Sequence, residues 1–148
     1  VVRGIVTDTA PESILRRTLK DVIEHKKTYN MMWFKTHHKR KDALGFAGNQ
    51  LNIDANAFLA KINYKWMFFA NPIIVRTSSE RNKSHEACLS IPNKDYIVDR
   101  YDWVELDYED DFGVNCSRIF KGLDAIVIQH EVDHLNGILI SDKGEKNG

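Results

Sequence analysis

The segment His130-Glu131-Val132-Asp133-His134 constrains this chain more than any other. Two histidines four residues apart on a helix project from one face, one turn apart, so both can reach a single ion. Glu131, beside the first histidine, can reach water bound to that ion. This is the H-E-x-x-H arrangement of metal hydrolases. The flanking sequence supports a helix: Leu123, Ile126, Val127, His130 and His134 share one helical stripe. Gly122 breaks the chain before it, and Gly137 suits its C-terminal cap. A chance pairing on an amphipathic helix is the competing explanation, since the chain has 6 histidines, but the intervening Glu weighs against it.

Two histidines do not complete a catalytic site, which needs a further protein ligand and an open position. The extended metalloprotease pattern H-E-x-x-H-x-x-G-x-x-H matches at Gly137 but then falls on Ile140, which cannot bind metal. Glu145 lies in a polar, Gly-containing tail and is a poor candidate. The third ligand is therefore expected upstream, and Cys88 fits best, because a thiolate binds zinc or ferrous iron well. His85 is a rival, and a lone cysteine is more often a small buried hydrophobe. Cys116, in an expected hairpin strand, is given that bland reading.

The rest of the chain reads as an α+β domain, mainly antiparallel, occupying residues 1–148 as one unit. Ile14, Leu15, Leu19, Val22 and Ile23 recur at helical spacing, which predicts a long N-terminal helix from about Pro11 into the thirties. A basic stretch at 36–41 follows, then Gly45-Phe46-Ala47-Gly48, small residues where backbone can approach a ligand. Strand-like patterns run from there to about residue 120, at 66–70, 73–75, 103–108 and 114–120. The Asp111-Phe112-Gly113 triplet matches a kinase metal motif, but with nothing else of a kinase present it reads as a hairpin turn.

Charge and composition remove several classes. Lys+Arg and Asp+Glu both number 21, so there is no overall basic field of the kind that nucleic-acid binding needs. No apolar run is long enough to span a membrane, and the N-terminal one is too short for a signal peptide. With two cysteines and no export signal, reduced thiols in a cytoplasm are expected.

Three segments occur in the order Gly45-Phe46-Ala47-Gly48-Asn49-Gln50, Glu86-Ala87-Cys88-Leu89-Ser90 and Gln129-His130-Glu131-Val132-Asp133-His134. In this order and at these separations they resemble the motifs of peptide deformylases, and the resemblance covers most of the chain. It implies removal of the N-formyl group from the N-terminal formyl-methionine of new polypeptides. It implies one divalent ion on Cys88, His130 and His134, natively Fe2+, with Zn2+, Ni2+ or Co2+ as substitutes. Glu131 would carry the proton, and the Gln50 amide and Leu89 backbone N–H would stabilise the oxyanion. Leu44, Gly45, Glu86, Ala87, Ile126 and Val127 would bind substrate, although Ile126 and Val127 can equally be plain core residues. Asp133, one residue before a ligand, needs a partner, and the resemblance points to Arg100.

Departures from the family pattern touch the backbone near the cleft. Ala43 and Ala87 stand where the family usually has Gly, Gly48 where it has Ala, and Asn49 where Pro or Thr is frequent. The chain also reads as a short form without an extended C-terminal helix. The domain is expected to be complete by about Ile140, with 141–148 mobile and dispensable. Expected partners are formyl-methionyl peptides or nascent chains, with weak ribosome association, no membrane, no specific nucleic acid and a monomeric state. The basic run at 35–41 is a candidate ribosome-docking surface, although simple solvation explains it as well. Two alternatives stay open: a zinc metallopeptidase-like hydrolase, and a non-catalytic domain whose structural metal takes His85 as a fourth ligand.

Overall fold

The metal-motif segment is helical in the computed structural model of the chain, which describes residues 4–146. In chain order the elements are α1 (His25–Lys35), β1 (Gly45–Ala47), β2 (Ala57–Ile62), β3 (Lys65–Thr77), β4 (Arg81–Cys88), β5 (Ile91–Tyr101), β6 (Trp103–Glu109), β7 (Asn115–Lys121), α2 (Gly122–Leu135), α3 (Ile140–Lys143) and β8 (Glu145–Lys146). Short 3-10 turns lie at Ile14–Arg16, Arg40–Asp42 and Gly48–Leu51.

The strands form two sheets, one of five in the order β1-β2-β3-β6-β7 and one of three in the order β4-β5-β8, antiparallel throughout. Alternation decides which face of the larger sheet is covered. In β6, Val104, Leu106 and Tyr108 point inward while Asp107 is exposed. These residues, with Phe58, Phe69 and Phe120, pack on Ala125, Ile128, Val132 and Leu135 of α2. The Phe58 and Phe69 rings stack with centroids 4.7 Å apart. Helix α2 therefore lies on the larger sheet, and it also reaches β5 of the smaller one. Gln129 fixes that second contact: its amide both accepts from the N–H of Tyr101 and donates to the carbonyl of Tyr101.

The expected hairpin turn after β6 is present. Asp110 Oδ1 accepts from the N–H groups of Phe112 and Val114, and Gly113 has φ +78°. Strand β3 runs through Asn71-Pro72 rather than stopping there, with a register shift between Ala70 and Ile73 where proline has no N–H to give.

The long N-terminal helix does not form. Only a Ser13-capped 3-10 turn appears at Ile14–Arg16, Arg17 is already extended, and α1 begins at His25. The reason is where the apolar residues go. Ile14 and Leu19 enter the core under α2, Leu15 enters a cluster beneath the smaller sheet, and Val22 enters a third cluster with Met32 and Phe46. One helical stripe cannot serve three cores, whereas a chain in mostly irregular conformation can. Its backbone is satisfied by other segments: the Lys20 carbonyl accepts from Asn56, and Asn71 bonds both polar groups of Val22.

The expected mobile tail is also corrected. Residues 140–146 form α3 and β8, and β8 pairs with β5 through Ile97↔Glu145 and Tyr96↔Lys146. Its order comes from polar contacts rather than apolar burial: Arg16 pairs with Asp142, and Asp142 caps the Leu139 N–H at 2.8 Å. Residues 147 and 148 lie outside the described part of that expectation.

Candidate metal centre and cleft

The two ends of α2 set its histidines. The helix starts at Gly122, with φ +59°, directly after β7. It ends in a Schellman motif, with Gly137 N–H donating to His134 O and Ile138 N–H to Asp133 O. Gly137 has φ +76°, and a Cβ there would lie 3.0 Å from Arg16 O, so glycine is required. His134 is fully buried and His130 half-buried, with ring centroids 5.0 Å apart.

Cys88 closes β4. A register shift between Ala87 and Cys88 leaves its Sγ 3.2 Å from His134 Nε2. One ligand atom from each of Cys88, His130 and His134 lies within 4.8 Å of the others. Tetrahedral metal sites with sulfur and nitrogen donors hold neighbouring donors roughly 3.5 Å apart, so the trio fits one ion after small adjustment. The donor chemistry fits as well, one soft thiolate with two imidazoles. His85 does not join them. Along β4, Ser84, Glu86 and Cys88 are buried while His85 and Ala87 are exposed, which is strand alternation.

Behind the ligands lies a charged chain. Glu86 accepts from Arg100 Nε at 2.8 Å and Nη2 at 2.7 Å, and its Oε1 lies 2.8 Å from His130 Nδ1. Glu86 lines the cleft, but its carboxylate is engaged by these two partners, so it orients the His130 ring instead of standing free in the cleft. A proton on Nδ1 leaves the Nε2 lone pair for metal. Burial works to raise the Glu86 pKa, but hydrogen bonds from Arg100 and His130 outweigh it and hold the group at about 2. The expected pair is present too: Arg100 Nη1 lies 2.6 Å from Asp133 Oδ2.

Glu131 is buried against the other wall, and its Oε1 has no protein hydrogen-bond partner among the described residues. Burial raises its pKa to about 7, against the pull of His130 and Arg100. That suits a group that must both accept and return a proton near neutrality. Gln50 is oriented by the Ala47 N–H, which can only donate and so takes Oε1, at 3.0 Å. Its Nε2 then points at Cys88 Sγ, 3.4 Å away, and Ser90 Oγ, 3.2 Å away. Leu89 sits in the two-residue turn between β4 and β5.

Gln50, Glu86, Cys88, Leu89, His130 and Glu131 open onto one cleft of about 580 Å³, whose walls include Leu44, Gly45, Ala87, Ile126 and Val127, while His134 and Arg100 lie buried behind it. Strand β1 is a sheet edge, paired only with β2 among the described residues, and Gly45 lines the cleft with the preceding Leu44, whose carbonyl is taken by the Lys61 N–H. Val127 belongs both to the cleft wall and to the core, while Ile126 is half-buried. Sequence reasoning missed the rim: Leu123, exposed in the first turn of α2, and Asp95, opposite Ala87 in β5. Leu123 was legible as a stripe member, since the 123/126/127/130 stripe faces the cleft while 125/128/132/135 faces the core. In the basic run at 35–41, Lys39 and Arg40 close the end of α1 and Lys35 reaches the turn at Gly48–Leu51. Lys35 donates to Leu51 O, Lys39 to Lys35 O and Arg40 to Trp33 O.

Comparison with known proteins agrees with this geometry. The polypeptide deformylase family model matches residues 2–148. The peptide deformylase of Synechocystis is 36% identical over 107 residues, 69% of this chain, and the match takes in 57% of that protein's length. The match to the Desulfotalea psychrophila enzyme takes in 46% of its length. The Thermotoga maritima peptide deformylase is 30% identical over 136 residues, 89% of this chain and 82% of that protein. Its crystal structure superposes with a TM-score of 0.84 at 30% identity, over 94% of this chain and 95% of that one. A Met-Ala-Ser-bound peptide deformylase from Acinetobacter baumannii gives 0.83 at 25% identity, over 97% and 98%. With its three motifs gathered around one cleft and the family pattern running through residues 2–148, the chain belongs to the polypeptide deformylase family.

Proposed function

We propose that this chain hydrolyses the N-formyl group from formyl-methionyl peptides, using one divalent ion held by Cys88, His130 and His134. The observation that carries the reading is the convergence of those three donors with a buried, unpartnered Glu131 carboxylate at the foot of a cleft edged by β1. When bound, the ion would make its water acidic and polarise the formyl carbonyl; Fe2+ is the proposed native ion, with Zn2+, Ni2+ and Co2+ as substitutes.

The chain's own residues do the remaining work. The peptide pairs with the open edge at Leu44 and Gly45, and the methionine side chain rests on Ile126 and Val127, with Ala87 on the facing wall. Glu131 takes a proton from the attacking water and returns it to the departing amine nitrogen, so formyl amide and water become formate and a free amino terminus. Gln50 Nε2 and the Leu89 N–H donate to the oxygen that gains charge, and losing one such donor costs about 100- to 1,000-fold in rate. A structural-metal role is disfavoured by the exposed His85, since no further His, Cys, Asp or Glu joins the three donors among the described residues. The protein would act in a bacterial-type cytoplasm, as a monomer, on free peptides or nascent chains, with at most weak ribosome contact.

The test is formate release from formyl-Met-Ala-Ser by the Fe2+-loaded protein under anaerobic, reducing conditions. Formate production with no cleavage of unformylated Met-Ala-Ser is expected. Failure with Fe2+, Zn2+, Ni2+ and Co2+ would overturn the reading, and cleavage of the unformylated peptide would favour a metallopeptidase.

A further inference from the structure

The charged chain behind His130 does not stop at Asp133. Lys143, in α3, lies 3.0 Å from Asp133 Oδ2 and 3.2 Å from its Oδ1, so Asp133 is shared between Lys143 and Arg100. The links run Lys143, Asp133, Arg100, Glu86, His130, each within hydrogen-bond distance. A charge count explains why the last cation matters. With His130 neutral, as a metal ligand would be, Arg100, only 2% exposed, faces two carboxylates, Glu86 and Asp133, which leaves one negative charge in excess; Lys143, its side chain 44% exposed, balances it.

Nor is Lys143 a freely swinging surface side chain at its root. Its backbone is held by Ile140, which is 3% exposed, by the Arg16–Asp142 pair, and by Gly144, where a Cβ would meet Ile97 O at 2.7 Å. Resting on the metal-site reading above, we propose that Lys143 is a positioning residue for His130. It fixes Asp133, which takes one N–H of Arg100 while Glu86 takes two, and Glu86 in turn sets the ring of His130. Without Lys143 the unbalanced Asp133 draws Arg100 away from Glu86, and the imidazole loses part of its orientation.

The test reads metal affinity and needs no turnover. Metal-stripped protein is titrated with Co2+ against a competing chelator at low ionic strength. Lys143→Met is expected to weaken Co2+ binding about 3-fold and Asp133→Asn about 10-fold, at or below the lower end of effects for groups that support metal ligands. Lys143→Arg should restore wild-type affinity. In the Asp133→Asn background, Lys143→Met should change nothing further, because its partner is already neutral; a purely structural role for α3 would give the same loss in both backgrounds. Wild-type affinity in Lys143→Met, or an undiminished loss on top of Asp133→Asn, overturns the proposal while leaving the metal site intact. Wild-type protein that takes up no Co2+ overturns the metal-site reading itself, and this proposal with it.

Discussion

Glu131 keeps its place because residue 45 has no side chain. A Cβ built on Gly45 would lie 2.8 Å from Glu131 Cδ and 2.9 Å from its Cγ, and would overlap the carboxylate oxygen as well. Glu131 is buried, and a methyl group at 45 would push its carboxylate out of its present position beside the cleft. Gly45→Ala is therefore expected to keep metal and lose about 100-fold in kcat, the scale set by small misplacements of a catalytic group; wild-type turnover would show that the carboxylate can move aside harmlessly. Glu131→Gln preserves the shape and removes the base. Metal should stay, and turnover should fall about 100- to 10,000-fold; near-normal formate release would remove Glu131 from proton transfer. For the ion itself, Cys88→Ala should lose most bound metal and His85→Ala keep it, as elemental analysis would show, and the reverse dependence would sink the ligand assignment. Two departures from the family pattern also make sense here. At Gly48 a Cβ would meet Ala55 O at 2.5 Å, so this backbone has closed in on the smaller residue. Asn49 donates to His134 O at 2.7 Å, tying the first motif to the end of the metal helix.

Among the elements, α2 and the strands β3, β6 and β7 were legible in the sequence from their periodicity, whereas β1, β2, β4, β5 and β8 had at most a general strand-like reading. Val104, Leu106 and Tyr108 alternate against a single core, and the period of α2 separates cleft from core. The segment before α1 was not legible. Its spacing of apolar residues is helical, but Leu15, Leu19 and Val22 go to three different clusters, and nothing in a local pattern reports where a side chain will end up. What holds this segment is instead ionic and long-range. Arg16 donates to Gly137 O at 3.0 Å and pairs with Asp142, 126 residues away. Arg16 and then the Leu139 N–H hold the Asp142 carboxyl below its usual value of 3.8, with burial acting the other way. A depressed carboxyl contributes stability above its unfolded pKa and loses it as pH falls through the folded one. Arg16→Met should thus lower the melting temperature at pH 7, and the gap should close as pH drops below 3.8. With Asp142 39% exposed, solvent screening keeps the effect to under about 1 kcal/mol. A gap that persists unchanged in acid would mean that Arg16 acts only through its bonds to backbone carbonyls, Gly137 O at 3.0 Å and Thr9 O at 3.2 Å.

Over the whole molecule, the site was read more fully than the frame that carries it. Cys88 comes from β4 and the two histidines from α2, and their chemistry names them before any fold is known. The frame depends on who meets whom at long range, and the C-terminal segment shows the consequence. Ser141 to Lys146 offers almost no apolar surface, which by composition argues for disorder. Yet Asp142 meets Arg16, Lys143 meets Asp133, and Glu145–Lys146 adds a third strand along β5 opposite β4. Polar partners waiting on a finished surface can order a segment that could not order itself. Ending the chain after Ile140 would strip Asp133 of one cation, leave Arg16 unpaired, and expose the β5 edge at Tyr96 and Ile97. Two screened ion pairs, each under about 1 kcal/mol, and a short edge strand together contribute up to roughly 2 kcal/mol. For a chain of this size, that is a drop of about 4–8 °C in melting temperature. Metal retention should fall with it, at least as far as in Lys143→Met, because the same cation is lost. Calorimetry and Co2+ titration of the protein truncated at Ser141 check both. Unchanged melting and unchanged affinity would mean that these contacts decorate a domain already complete at Ile140.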